Sequence, residues 1–146
     1  MRVHIEKVFG NFRRDQLFAV AADIESYPEF LPLCIAARIV KRHGDRMQVD
    51  NVFGLGGMRA KFRSEAVFDE PEGIHICSVD GPFRRLEINW RFQAVDDQAT
   101  RVAFSLEQSF RSGITGTVTG LFTQGIERQI IGSFENRVLA VCQPAA

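Results

Sequence analysis

The sequence predicts an α+β fold: a curved antiparallel sheet of about seven strands, closed over by one long C-terminal helix. Three observations lead there. Residues 35–107 fall into six runs that alternate apolar and polar with period two, separated by short polar turns. That pattern belongs to a meander with one covered and one wet face. Residues 112–141 lose the alternation and instead carry Ile114, Val118, Phe122, Ile126, Ile130, Phe134 and Val138, a spacing of four that suits a helix. Between the first strand and the meander lie twelve residues, 23–34, dense in helix start and stop signals.

Taken in order, residues 2–9 alternate weakly and predict the first strand. Asp15, Gln16, Leu17, Phe18, Val20, Ala21 and Ile24 predict a short amphipathic helix with an acid in its first turn. Arg13 stands where a Ser or Thr cap is expected, and Asn11 is the alternative cap. Ser26 and Glu29 have the Ser-x-x-Glu spacing of a capping box. Pro28 falls where no N–H is needed and Pro32 blocks continuation. A one-turn helix is therefore expected, and its large groups are Tyr27, Phe30, Leu31 and Leu33.

In the meander, Ile35, Ala37 and Ile39 alternate with Ala36, Arg38 and Val40. Met58, Ala60, Phe62, Ala66 and Phe68 face one way, while Arg59, Lys61, Arg63 and Glu65 face the other. Leu86, Ile88, Trp90 and Phe92 oppose Arg85, Glu87, Asn89 and Arg91 in the same manner. The final helix, if continuous, carries a stripe that precesses about 40° per step of four, so it must cross the sheet obliquely or bend. Gly116, Gly120, Gly125 and Gly132 lie within it, each costing about 1 kcal/mol against Ala. Such a helix is broken near its middle or leaves room for something.

The 146 residues fit one domain, 1–146, large enough for a core without covalent staples. Eighteen basic and eighteen acidic side chains cancel, which gives no support to a DNA binder. Cys34, Cys77 and Cys142 are far apart and odd in number, so neither a zinc site nor a disulfide framework is expected, and a reducing cytoplasm suits them. No signal peptide or membrane-spanning run is expected. His4, His43 and His75 are scattered, and no metal site follows. Asp23, Glu25 and Glu29 sit around a cap and a loop, where acids favour helix starts; they are not expected to be catalytic. Thirteen Phe stand against one Tyr and one Trp, so the interior is apolar with few polar handles. From the residues alone, these aromatics either fill a core or wall a cavity.

The chain carries the motif Asp23…Tyr27-Pro28-x-Phe30-Leu31-Pro32-x-Cys34 together with Gly81-Pro82-Phe83-Arg84-x-Leu86…Trp90-x-Phe92 and the helical Phe134-x-x-Arg137. Together with the element order, it resembles the coenzyme-Q-binding Coq and RatA family, within the START-like helix-grip fold and the polyketide cyclase/dehydrase superfamily. The resemblance implies a cavity between sheet and helix, with Tyr27, Pro28, Phe30, Leu31 and Pro32 at its mouth. It implies walls formed by Phe62, Phe83, Leu86, Trp90, Phe92, Phe104 and Phe122.

The expected function is then non-enzymatic carriage of a hydrophobic small molecule in support of respiratory electron transport. The ligand implied is ubiquinone or another polyisoprenoid or lipid, with no cofactor required. The setting is the bacterial cytoplasm, with transient contact at the inner-membrane surface. The alternative is a RatA-like ribosome-association inhibitor that contacts the large ribosomal subunit through a basic face of Arg59, Lys61, Arg63, Arg85 and Arg91. A third reading, a cyclase or dehydrase, needs a perturbed polar group inside the cavity, and the inward candidates are Asn51, Ser64 and Gln108.

Overall fold

The computed structural model describes residues 2–55, 57–114 and 125–144. Strand β1 (Arg2–Phe9) leads into helix α1 (Arg14–Ala22) and a 3₁₀ helix (Ile24–Glu29). The meander follows as β2 (Cys34–His43), β3 (Arg46–Leu55), β4 (Met58–Asp69), β5 (Gly73–Ser78), β6 (Phe83–Ala94) and β7 (Thr100–Phe110). Helix α2 (Ile126–Val141) comes last. The seven strands form one antiparallel sheet in the order β1-β7-β6-β5-β4-β3-β2. The START-like helix-grip architecture expected from the sequence is thus present, with its two short helices after the first strand.

The alternation read from the sequence sets the two faces of this sheet. Trp90 pairs with Ile74 and Phe104, Phe92 with Val102, and Phe62 with Asn51, all on the inner face. Asp50 pairs with Arg63, and Glu87 with Cys77 and Glu107, on the outer face. Edge strand β2 departs from strict alternation. Its register shifts between Cys34 and Ala36, so Ile35, expected on the Ala37 and Ile39 face, stands exposed. Such an irregularity is typical of an edge. The edge is also blunted by the 3₁₀ helix, where Glu25 accepts the Ile39 N–H at 2.9 Å.

Three local expectations are corrected. Arg13, and not Asn11, is the N-cap of α1; its backbone N–H donates to Gln16 Oε1 at 2.9 Å. Asn11 instead takes a left-handed φ of 70° in the preceding turn. The Ser26–Glu29 capping box does not form, because the 3₁₀ helix begins earlier, at Ile24. Ser26 donates back to Asp23 at 2.7 Å, and Glu29 turns to Arg137. The final helix begins at Ile126, after Gly125 with φ 94°, rather than at residue 112. Residues Arg111–Ile114 form a turn, and Val118, Phe122, Gly116 and Gly120 lie outside the described residues. From Ile126 onward the four-spaced stripe holds: Ile126, Ile130, Phe134 and Val138 are buried, joined by Ile131.

Candidate functional site

Bulk is distributed unequally over the inner face. Helix α2 packs chiefly on β1 and β7, where Val3, Val102, Phe104 and Leu106 are buried. Phe134 reaches across to β6, with ring centroids 4.8 Å from Trp90 and 5.7 Å from Phe9. Trp90 lies 4.9 Å from Phe104 and stacks with Phe92 at 6.2 Å. Phe92 in turn meets Phe18 of α1 at 6.0 Å. The predicted wall residues Trp90, Phe92 and Phe104 are therefore knitted into one aromatic core under both helices.

A second aromatic group lies at the other end of the strands. Phe62 contacts Phe83 at 4.9 Å and Phe53 at 5.4 Å, and Phe83 stacks on Phe110 at 5.3 Å. Here β2, β3, β4 and β5 present small or polar groups between the rings: Ala37, Asn51, Ala60, Ser64, Ala66 and Ser78. Asn51, Ser64 and Gln108, the inward polar candidates, are all buried. Ile88 lies between these groups, flanked by Ile76 and Leu106 on the third strand from the edge. It faces inward, yet it remains only partly buried while Leu86 and Trp90 on the same face are sealed. An apolar side chain at the centre of a covered face keeps accessible surface only where its neighbours leave room.

The segment from Tyr27 to Pro32 borders this interior. Tyr27 is buried, and its hydroxyl donates to the Ala21 carbonyl while receiving a hydrogen bond from Trp90. Burial first, then Cys34 and Asp23 nearby, hold its pKa above the ordinary 10. Pro28, Phe30, Leu31 and Pro32 are half-buried. Phe30 stands edge-on to Tyr27 at 5.7 Å, and the Arg137 guanidinium lies 5.4 Å above the Phe30 ring and 3.7 Å from Glu29. Arg137, from the Phe134-x-x-Arg137 motif, thereby ties the end of α2 to the 3₁₀ helix. A groove of about 390 Å³ opens beside Phe30, lined by Val20, Asp23, Ser26, Arg137, Val141 and Cys142 among others.

Cys34 closes the motif beneath Tyr27, and burial pushes its thiol from an ordinary 9 up to about 12. Cys77 and Cys142 shift upward for the same first reason. For a group whose folded pKa is raised, the native state keeps a proton that the unfolded chain releases. The stability this contributes is complete below the unfolded value and is lost as pH rises through the folded one. Stability should therefore hold to about pH 9 and fall steadily toward pH 12, with Tyr27 adding to the loss above pH 10. Urea midpoints at pH 7, 9 and 10.5 check this. Cys34→Ala should flatten the first part of the fall; midpoints unchanged across that range would contradict it.

The five residues expected to form a basic face all project from the outer face, on β4 and β6. Acidic partners, most of them on other strands, neutralise three of them. Arg63 pairs with Asp50 at 2.7 Å, Arg85 with Glu87 and with Glu107 at 3.6 Å, and Arg91 with Asp69 at 3.8 Å. Arg59 donates to the Met58 carbonyl at 2.7 Å. A broad groove of about 1230 Å³ runs over this face, and its lining mixes Lys61, Arg63, Arg84 and Arg85 with Asp50, Glu65, Asp80 and Glu87. Among the described residues no group of His, Cys, Asp and Glu is placed to hold a metal ion, and no helix is long and apolar enough to cross a membrane. The sequence reading missed Arg137 as the partner of Phe30 and Glu29. Its place in the Phe134-x-x-Arg137 motif was the available signal.

Comparison with known proteins accords with this geometry. The family described as polyketide cyclase / dehydrase and lipid transport matches residues 11–135. The chain is 30% identical over 135 residues to the ribosome association toxin RatA of Rickettsia prowazekii (strain Madrid E), across 89% of this chain and 91% of that one. It is 28% identical over 127 residues to the mitochondrial coenzyme Q-binding protein COQ10 of Dictyostelium discoideum, across 84% of this chain and 62% of that one. A START superfamily protein from Mycobacterium smegmatis superposes with a TM-score of 0.79 over 96% of this chain and 98% of that one; at 16% identity the likeness is one of fold. The family spans cyclases and lipid-transport proteins alike, so membership leaves the activity open. The chain, START-like in fold, belongs to the polyketide cyclase / dehydrase and lipid transport family.

Proposed function

We propose that this protein is a non-enzymatic carrier of an elongated hydrophobic small molecule, ubiquinone or a similar polyisoprenoid lipid, held between the sheet and α2. The observation that carries this reading is Ile88, inward at the centre of the sheet and still partly accessible. Similarity to a coenzyme Q-binding protein supports the choice of ligand. Apolar walls suffice for affinity, since each CH₂ transferred from water is worth about 0.8 kcal/mol. The inward polar side chains of β3, β4 and β7, namely Asn51, Ser64 and Gln108, do not titrate near neutral pH. They suit orientation of a headgroup better than acid–base chemistry. Leu139 and Val141, exposed at the end of α2, offer an apolar rim for contact with a membrane surface.

The test is organic extraction of freshly purified protein followed by mass spectrometry. Recovery of a quinone or other lipid is expected. Finding none, together with no uptake of added ubiquinone, would count against the reading. In this account the Tyr27–Pro32 segment is the mouth and Arg137 is its latch. Arg137→Ala removes the contact over Phe30 and the pair with Glu29, together worth about 1 kcal/mol at a partly exposed site. Release of bound ligand should speed up roughly fivefold, read by stopped-flow displacement, with the thermal midpoint little changed. An unchanged release rate would remove the latch from the account.

A second reading, ribosome association, rests on the similarity to RatA. Lys61 and Arg84, in no ion pair among the described residues, are the outer-face groups free to meet phosphate. Cosedimentation with large ribosomal subunits over a salt series discriminates, because phosphate-dominated contact weakens as salt rises. No cosedimentation even at low salt would dismiss it.

A further inference from the structure

Two adjacent polar groups on the floor of the interior keep hydrogen-bonding capacity that the protein does not use. Asn51 on β3 pairs with Ala37 of β2 and Phe62 of β4, and the residue is 9% exposed. The amide nitrogen lies 3.1 Å from the Val49 carbonyl oxygen, 3.2 Å from that of Phe62 and 3.0 Å from Ser64 Oγ. Two carbonyl oxygens fix the orientation, because a flipped amide would set oxygen against both. Asn51 Oδ1 is therefore directed away from these carbonyls and, among the described residues, accepts nothing. Ser64, 5% exposed, accepts from Asn51, while its own O–H has no acceptor among the described residues. One acceptor and one donor thus stand side by side, next to the Phe62 ring and its neighbours Phe53 and Phe83.

We propose that Asn51 and Ser64 form a headgroup site that selects the reduced, hydroxyl-bearing form of an aromatic quinol over the oxidised quinone. This deepens the hydrophobic-carrier reading and rests on it. A quinol can donate an O–H to Asn51 Oδ1 and accept from the Ser64 hydroxyl with a ring oxygen. A quinone carries acceptors only, so it can satisfy Ser64 but sets a carbonyl oxygen against the Asn51 oxygen. A ring seated over the pair closes Oδ1 off from water, and leaving it unmet there should cost the quinone about a factor of ten in affinity. The Phe62 ring beside the pair is placed to pack on a flat headgroup in either redox state.

The test titrates the purified protein, by calorimetry under argon, with a short-chain ubiquinone, with the same compound reduced to the quinol, and with farnesene, an isoprenoid hydrocarbon with neither ring nor hydroxyl. The quinol should bind about tenfold more tightly than the quinone. Asn51→Leu should level the quinone and the quinol. Ser64→Ala, a smaller change, should weaken both ring compounds, and neither substitution removes a polar partner that farnesene could use. Equal affinities in the wild-type protein, or tighter binding of the quinone, would overturn the inference and leave the hydrophobic-carrier reading standing. Failure of all three compounds, farnesene included, would take down both.

Discussion

Replacing Trp90 by alanine should lower the free energy of unfolding by about 3–5 kcal/mol, a large share of the roughly 5–15 kcal/mol typical of a domain. The side chain is 1% exposed and touches Phe92, Phe104 and Phe134, which tie β6 to β7 and to α2. Its indole N–H also serves the Tyr27 hydroxyl, so truncation leaves a second buried group short of a partner. Close ring contacts on several sides limit the collapse that could soften the loss. Urea unfolding followed by circular dichroism measures it. A loss below about 1.5 kcal/mol, less than half the lower end of the usual range, would mean that Trp90 borders open space and that the cavity extends to this end of the sheet.

Gly81→Ala should cost about 3 kcal/mol or more, for a different reason. Gly81 has φ 59°, a conformation that charges an L side chain about 1–2 kcal/mol. A Cβ there would also meet the Lys61 carbonyl oxygen far inside contact distance and Phe62 Cβ at 3.0 Å. The first neighbour is backbone of an adjacent strand and cannot step aside cheaply. The turn is further held by Arg111, which donates to the carbonyls of Gly81 and Val79, and it delivers the wholly buried Phe83 into the Phe62–Phe110 group. Gly44→Ala is the control: φ is similar at 61°, but nothing lies within 4 Å of the added carbon. Urea midpoints should show a clearly larger shift for Gly81→Ala. Equal shifts would mean that the strands part to admit the methyl group, and that the Gly81-Pro82-Phe83 corner is not tightly closed.

The parts of the fold that depend on local pattern were legible in the sequence. Period-two alternation placed all six strands of the meander, and the inward set Met58, Ala60, Phe62, Ala66 and Phe68 lies on the face it was assigned. Burial on one face dictates that pattern directly. What was not legible depends on partners distant in the chain. The pairing of Arg63 with Asp50 and of Arg85 with Glu107 was hidden because the register that sets them side by side exists only once the strands pair, whereas Glu87 stands two residues from Arg85 on the same strand. The Ser26–Glu29 spacing was sound as a local signal, but Asp23 captured Ser26 and Arg137 captured Glu29. Ile35 was misplaced by a register shift at the edge, which alternation alone cannot reveal. Asn51 and Ser64 were noticed as inward polar residues, yet their relation to each other is a cross-strand one, set by the Asn51–Phe62 and Val49–Ser64 pairs.

The central claim is that the interior receives a long apolar molecule, and a chain-length series tests it most directly. Ubiquinones that differ only in the number of isoprene units would be titrated against the protein, with the fluorescence of its one tryptophan, Trp90, as the signal. Burial of each added unit should tighten binding severalfold, since even a single CH₂ is worth about 0.8 kcal/mol, until the space is filled and the trend levels off. An affinity independent of chain length from the shortest compound onward would contradict an interior that holds the tail.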